Sequence, residues 1–151
     1  MDSDPIISPP TLAGFIAWAK AVMGLTTAII PDNSTAYAYA YQVALNVTPQ
    51  MPGVPDIQTL TTYNIGGSQL LMYAQDQSGQ TFFSTARTKY GMNSFVAGVI
   101  NSSGDESTHQ SMTVGKQMSN MDLLSLQLAT NPYGRQALAF MGSIGSLWGL
   151  T

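Results

Sequence analysis

The strongest structural signal in this sequence is an apolar stripe near its C-terminal end, with the spacing of one face of an α-helix. The stripe begins after Asn131-Pro132, where proline occupies the first helical position that it favours. Its members recur with the 3.6-residue period of a helix; they are Tyr133, Ala137, Phe140, Met141, Ile144, Leu147 and Trp148. A helix with such a face is stable only when that face is buried, so the chain has to build its core from packed helices.

A second amphipathic helix is predicted between Thr11 and Gly24. Thr11 is a favoured N-cap residue, and Gly24 is a favoured residue just beyond a helix end. The predicted buried face, which leaves Trp18 and Lys20 outside it, consists of Leu12, Phe15, Ile16, Ala19, Val22 and Met23. Since Lys20 would cost about 2.5–3.5 kcal/mol at the centre of a bilayer, we expect the apolar stretch 12–30 to be a buried helix followed by a turn and not a membrane span.

A third helix is predicted over residues 36–47, after the cap-forming segment 32–34 (DNS). Its tyrosines alternate with alanines, which by period alone also fits a strand, but the alanine content favours a helix. The prolines and the glycine of residues 49–55 predict a loop after it.

Pro55-Asp56 can start a further helix, which contains the pair Gly66-Gly67. Glycine costs about 1 kcal/mol relative to alanine inside a helix. Two interpretations remain open: another backbone packs closely against the pair, or the helix breaks there. A polar turn is predicted at 75–80, and the pattern over 81–100 is weaker.

These patterns predict an all-α or mostly α fold, a small bundle of five to six short helices with extended terminal arms. Residues 1–10 are rich in proline, which predicts an extended N-terminal arm. Residues 11–151 are expected to form a single helical domain, with a long polar loop at 101–119 and an apolar C-terminal tail.

Charged residues are scarce in this chain. Five basic and eight acidic residues make up 9% of it, against about 25% in an average soluble protein. The hydrophobic fraction of 44% excludes the disordered class, and a net charge of −3 gives no basic surface for nucleic acid. Cysteine is absent, which excludes disulfides and thiolate chemistry. A surface with so little charge predicts a protein that works inside an assembly.

No catalytic, metal or cofactor site is predicted. His109, the single histidine, lies near Asp105 in the polar loop, without a sequence context that would orient it in a pocket. We expect a solvated loop there, with an enzyme centred on His109 as an alternative. Asp32, Asp56 and Asp122 are expected to act as helix caps.

Several C-terminal segments resemble small structural proteins of tailed bacteriophages. They are 121–126 (MDLLSL), 130–135 (TNPYGR) and 145–151 (GSLWGLT), and residues 99–108 (VINSSGDEST) are similar in character. The resemblance implies a head-to-tail adaptor of the phage neck, a helical homo-oligomeric ring, commonly a dodecamer, that docks on the portal protein. It also implies tail or gateway proteins as neighbours, and DNA that passes through the lumen without sequence-specific binding. No cofactor and no membrane are implied, and the protein would belong to the virion after assembly in the host cytoplasm.

The resemblance makes the apolar tail the candidate docking segment on the portal, with the arm 1–10 as a second one. The candidate portal or subunit interface consists of Tyr133, Phe140, Ile144, Leu147, Trp148, Leu150 and Thr151. The glycine pair in the helix predicted to start at Pro55-Asp56 and the low charge depart from an idealised adaptor, so another tail-side ring protein is an alternative. A small helical module that binds a small molecule or a peptide in a groove lined by Met and Tyr is a further one.

Overall fold

The computed structural model describes residues 8–92 and 123–148. Within these ranges the chain forms six α-helices and no strand: α1 (Leu12–Trp18), α2 (Thr35–Val47), α3 (Pro55–Tyr73), α4 (Phe82–Lys89), α5 (Leu123–Leu128) and α6 (Pro132–Trp148). A π-helical turn, Ala19–Met23, continues α1. The all-α prediction is confirmed, although α3 with 19 residues and α6 with 17 are longer than the short helices expected.

Helix α3 forms the centre of the fold. It packs against α1, the π-helical turn, α2, α4 and α6, and every residue from 61 to 71 is buried. Seven of these eleven residues are polar or glycine, and a buried polar group without a hydrogen bond costs about 1–3 kcal/mol. The helix therefore needs partners for its buried polar side chains.

Most of these partners lie in α3 itself. Thr61 Oγ1, Thr62 Oγ1 and Asn64 Nδ2 each donate a hydrogen bond to the carbonyl oxygen four residues earlier, at 2.7, 2.9 and 2.8 Å. With their hydrogen-bonding groups turned back onto the helix, the threonines keep their methyl groups for packing against neighbouring helices. A polar sequence can thus occupy the centre of the bundle.

The Gly66-Gly67 pair does not break α3, which runs without interruption across it. A Cβ atom at position 66 would lie 2.7 Å from Cε1 and Cζ of Phe15, and one at position 67 would lie 2.9 Å from Cη2 and Cζ3 of Trp18. The close approach is therefore made by aromatic rings of α1, where the sequence had suggested another backbone.

The buried face predicted for the helix between Thr11 and Gly24 is wrong at three positions. Trp18 is buried, while Leu12 and Val22 are exposed. One reason is Gly67, which leaves room for the Trp18 ring against α3. Another is the π-helical turn, whose i→i+5 pattern changes the angular step along the helix after Trp18. The predicted end at Gly24 is confirmed, with φ at 75°.

Helix α2 confirms the helical interpretation of the tyrosine-alanine segment. The Ser34 side chain accepts a hydrogen bond from the Ala36 N–H at 3.1 Å and caps the helix. Since residues two apart differ by about 200° around a helix axis, the tyrosines separate: Tyr37 is buried, Tyr41 half-buried and Tyr39 exposed.

Helices α5 and α6 meet at a corner that is anchored to α3 through Asn131. Its Nδ2 donates to Ser68 Oγ at 2.8 Å, and its Oδ1 accepts from the Gly134 N–H at 2.9 Å, which caps α6. A Cβ atom at Gly134 would lie 2.0 Å from the Leu128 carbonyl oxygen, so the corner requires glycine.

Neither Asp32 nor Asp56 is the N-cap of a helix, although the sequence predicted that both would act as caps. Asp32 forms an ion pair with Lys20 at 2.8 Å, and the cap of α2 is Ser34. Asp56 lies inside the first turn of α3, where it accepts a hydrogen bond from Ser8 at 3.2 Å. Asp122 lies outside the described residues.

The end of the predicted N-terminal arm is held on α3. Ser8 Oγ donates to the Pro55 carbonyl oxygen at 2.9 Å and shares a hydrogen bond of 2.7 Å with Thr59 Oγ1. Residues 1–7 of the arm, the predicted loop 101–119 and residues 149–151 of the tail lie outside the described residues.

Substitution of Gly66 by alanine tests the contact between α1 and α3. The added methyl group would overlap Phe15, a fully buried ring that cannot swing away, so we expect Gly66→Ala to lower the free energy of unfolding by about 1–3 kcal/mol in urea titrations. Gly142→Ala is the matched control, because no atom lies within 4 Å of a Cβ there; it should raise stability by about 0.5–1 kcal/mol. Equal effects of the two substitutions would contradict the packing described.

Candidate functional site

A groove of about 600 Å³ lies between the first half of α2 and the last turns of α3. Ligand-binding sites have volumes of roughly 300–1,000 Å³. The apolar part of its lining includes Ile30, Ala40, Leu70 and Ala74, which come from the loop before α2, from α2 itself, and from α3 and its C-cap. The groove is thus built on α2 and on α3, the central helix of the fold.

Two tyrosines make the groove amphipathic. Tyr39 of α2 is 60% exposed and Tyr73 of α3 is 51% exposed, and both line it. Exposed tyrosine rings combine apolar area with a hydroxyl group, as recognition surfaces often do. The remaining lining is polar and uncharged among the described residues: Ser34, Thr35, Gln69, Gln75 and Gln77. The groove therefore suits a neutral occupant with both apolar groups and hydrogen-bonding groups.

Gln69 is the most informative residue of the groove. The residue is only 5% exposed, its side chain makes no hydrogen bond with any described residue, and its amide atoms are not fully buried. A primary amide offers two N–H donors and a carbonyl acceptor, which here are open to solvent or to an occupant of the groove. The groove is where this amide can find a partner.

The edge of the groove at residues 74–77 is held in place by Asp76. Its carboxylate accepts hydrogen bonds from the Phe83 N–H at 2.7 Å, the Ser84 N–H at 3.1 Å and the Ser84 hydroxyl at 2.5 Å, so it caps α4 from outside the helix. Burial raises the pKa of this carboxyl, but the hydrogen bonds from Ser84 and Phe83, with the charge of Arg87, outweigh it and lower the pKa below its ordinary value.

Arg87 holds the same edge from α4. Its Nε donates to the Leu71 carbonyl oxygen at 2.7 Å, and its Nη2 donates to the Ala74 carbonyl oxygen. These carbonyls lie at the C-terminal end of α3, where a cation is favoured by the helix dipole. Asp76 and Arg87 together fix α4 to the end of α3.

Tyr37 carries a buried hydroxyl group near the groove but does not line it. Within the part of the chain that the structure describes, this hydroxyl has no hydrogen-bond partner. Burial first, and the negative charge of Asp32 second, raise the pKa of Tyr37 to about 12. The ring packs edge-on against Phe15, with centroids 6.1 Å apart, so Tyr37 belongs to the core.

The predicted interface residues are placed only in part. Tyr133 is half-buried and packs edge-on against Trp18, with ring centroids 5.8 Å apart, so part of its surface is used inside the chain. Phe140 is half-buried on α6. Ile144, Leu147 and Trp148 belong to α6, but their side chains lie outside the described part, as do Leu150 and Thr151.

The alternative chemistry centred on His109 falls outside the described residues as well. Among the residues that are described, no three His, Asp or Glu side chains come together in a way that could hold a metal ion. No described helix is both long and apolar enough to cross a membrane.

No protein-family model matches this chain, and no curated protein or solved structure shows significant similarity to it. The sequence allowed a groove lined by Met and Tyr as an alternative. The observed groove is lined by Tyr39 and Tyr73 and by no described methionine, and its position was not predicted because its lining comes from separate segments of the chain.

We expect Asp76→Asn to lower the thermal unfolding midpoint at pH 7, because an amide is a weaker acceptor and lacks the charge favoured at a helix N-terminus. Since folding lowers the Asp76 pKa, the carboxylate stabilises the fold above its unfolded-state pKa, and this stabilisation is lost as pH falls through the folded-state value. The difference between wild type and variant should therefore shrink below about pH 4.

The control for this experiment is Asp56→Asn, which removes the same charge from a carboxylate that accepts one hydrogen bond, from Ser8. It should cost less stability at pH 7 than Asp76→Asn. A difference between wild type and Asp76→Asn that stays constant from pH 7 to pH 2 would argue against the role assigned to this carboxylate.

Removal of the buried Tyr37 hydroxyl should stabilise the protein. We expect Tyr37→Phe to raise the free energy of unfolding by about 1 kcal/mol at pH 7. Because the Tyr37 pKa rises from 10.0 to about 12 on folding, the wild type should lose stability as pH rises across that interval, and the variant should lose less. Urea titrations at pH 7 and pH 11 measure both effects, and Tyr39→Phe, at an exposed ring, should change neither.

Proposed function

We propose that this chain is a structural subunit that works by self-association, as a ring-forming head-to-tail adaptor in the neck of a tailed bacteriophage. In this role it docks on the portal protein, contacts tail or gateway proteins and lets DNA pass through the lumen. It is a virion component without catalytic activity, assembled in the host cytoplasm.

The observation that carries the proposal is the use of charge in this fold. Every charged side chain in residues 8–92 and 123–148 has an intramolecular partner: Lys20 with Asp32, Asp56 with Ser8, Asp76 with Ser84, Arg87 with Ala74, Lys89 with the Tyr90 ring, and Arg135 with Ala129. Each described charge keeps a partner within the subunit when water is displaced from the surface. Covering this surface with a neighbouring subunit therefore has a low desolvation cost.

The apolar side chains on the described surface favour the same conclusion. Large exposed ones occur on α1, the π-helical turn, α2 and α3: Leu12, Val22, Tyr39, Leu45 and Tyr73. In a ring, each subunit offers one surface and receives another from its neighbour, and exposed apolar side chains on several elements of one chain suit such a heterologous contact.

The phage neck is proposed on the resemblance of the C-terminal segments to phage structural proteins. Under this proposal α6 docks on the portal together with the tail residues Leu147–Thr151, which begin in its last turn. The same argument from surface charge supports a tail-side ring protein of the phage, which is the nearest alternative.

A second candidate function is a small helical binding module. The groove of about 600 Å³ between α2 and α3 favours it, since Gln69 and two exposed tyrosines line it and none of its described lining residues is charged. Under this interpretation the protein is a monomer whose groove takes a neutral small molecule or a peptide.

Native mass spectrometry and negative-stain microscopy of the full chain distinguish the two functions. We expect a closed homo-oligomer of a single mass, alone or after addition of the portal protein, that persists in 1 M salt because its contacts do not depend on ion pairs. Deletion of residues 147–151 should keep the helical circular dichroism and abolish portal binding. A monomer at every concentration, indifferent to portal, would refute the ring.

A further inference from the structure

We propose that the exposed face of α2 binds the same face of a second copy of this chain, about a two-fold axis that passes beside Gln42. This face, the α2 patch, consists of Gln42 with Ala38, Tyr39, Leu45 and Asn46. The inference goes beyond the proposed ring. A ring closes through contacts between two different surfaces, whereas this contact joins one surface to itself and links subunits in pairs.

The α2 patch is one continuous surface. Residues three and four positions apart are neighbours on the surface of a helix, so the other four members of the patch surround Gln42. All five residues are exposed, Tyr39 by 60% and Leu45 by 39%. The residues that α2 buries lie on the opposite side of the helix, at about 100° per residue. The patch is therefore free to contact another molecule without any change in the core.

The α2 patch lies in the longest part of the sequence without charge. Residues 33–55 contain no charged side chain, where average composition would place about six. Like charges that face each other across an interface are strongly unfavourable. A surface that meets its own copy brings every one of its charges near the same charge of the partner. A charge-free patch avoids this repulsion, so it suits contact with itself.

A two-fold axis beside Gln42 brings complementary residues together. It places the two helices antiparallel, so that residues before position 42 lie across from residues after it. Ala38 and Tyr39 of one copy then face Leu45 and Asn46 of the other. Each half of the patch has one large apolar side chain, Tyr39 or Leu45, beside a smaller side chain. Large and small side chains that alternate across a contact can interdigitate.

Gln42, at the centre of the patch, is complementary to itself. Its side chain makes no hydrogen bond with any described residue. A primary amide carries both N–H donors and a carbonyl acceptor. When two such amides face each other, the N–H of each donates to the carbonyl oxygen of the other. The residue nearest the axis therefore gains two hydrogen bonds from a second copy of this chain.

The size of the α2 patch determines how strong the contact is. Stable interfaces bury about 800 Å² on each partner and use roughly 20–30 residues a side. A patch of five residues covers only a fraction of that area. We therefore expect a weak pair in dilute solution, which becomes populated when subunits are held at high local concentration in an assembly.

Disulfide trapping in the full-length chain detects such a weak pair, and the background is clean because the chain has no cysteine. Gln42→Cys brings one thiol from each copy next to the axis. The matched control is Gln136→Cys, at an exposed glutamine on α6. At equal protein concentration and oxidation time, we expect about tenfold more disulfide dimer from Gln42→Cys than from the control. Equal yields would overturn the inference.

A charge exchange at position 42 separates a second copy from any other occupant of the patch. One chain carries Ala38→Cys, its partner carries Asn46→Cys, and each also carries Gln42→Lys or Gln42→Glu. Both substitutions suit an exposed helix position, so the circular dichroism should match that of the wild type. We expect the Lys–Glu mixture to give about tenfold more disulfide between positions 38 and 46 than the Lys–Lys and Glu–Glu mixtures, and 1 M salt to reduce the difference. Equal yields in the three mixtures, as when another protein or another part of the chain covers the patch, would refute the two-fold contact.

Native mass spectrometry of the Gln42→Lys and Gln42→Glu proteins distinguishes this inference from the proposed ring. Rings that form without any effect of charge on the disulfide would overturn the α2 contact and leave the ring standing. A charge-dependent disulfide in a protein that never closes a ring would do the reverse. Rings that persist in both variants, together with the charge-dependent disulfide, would support both contacts as separate interactions.

Discussion

The described fold depends on the direct contact between the aromatic rings of α1 and the glycine backbone of α3. Phe15 lies on Gly66 and Trp18 on Gly67, so α1 approaches α3 more closely than a side chain would permit. The same two rings reach the other helices: Phe15 packs against Tyr37 of α2, and Trp18 packs against Tyr133 of α6. Four helices meet at these two rings. The packing of the rings on the glycine pair therefore sets the positions of all four helices.

The central position of α3 explains both its unusual composition and the groove. Threonine and asparagine satisfy their hydrogen bonds within the helix, so they remain compatible with burial on all sides. Nearer the C-terminal end, Gln69 makes no side-chain hydrogen bond with a described residue, and it lines the groove between α2 and α3. Asp76 and Arg87 then keep the end of α3 and the start of α4 together, which gives the groove a rigid edge.

The small number of charged residues is the feature of this architecture on which the proposed assembly rests. Each of the few charged residues that are described has a partner within the subunit: one ion pair, hydrogen bonds at helix ends, and one aromatic ring under a lysine. Isolated surface ion pairs contribute little to stability, and helix capping is the more effective use of a scarce charge. Under the proposed function, a neighbouring subunit covers this sparsely charged described surface and its exposed tyrosines.

The sequence by itself determined the class of the fold and most of the described helix limits. Thr11, Ser34, Pro132 and Gly24 act through hydrogen bonds and dihedral angles of their immediate neighbours, which a local pattern records. Only the tertiary structure decided that Trp18 is buried, that the glycine pair receives rings, that Asp76 caps a helix seven residues away and that Gln69 faces a groove. Each of these depends on which helix lies opposite, and the packing of distant segments leaves no periodic trace in the chain.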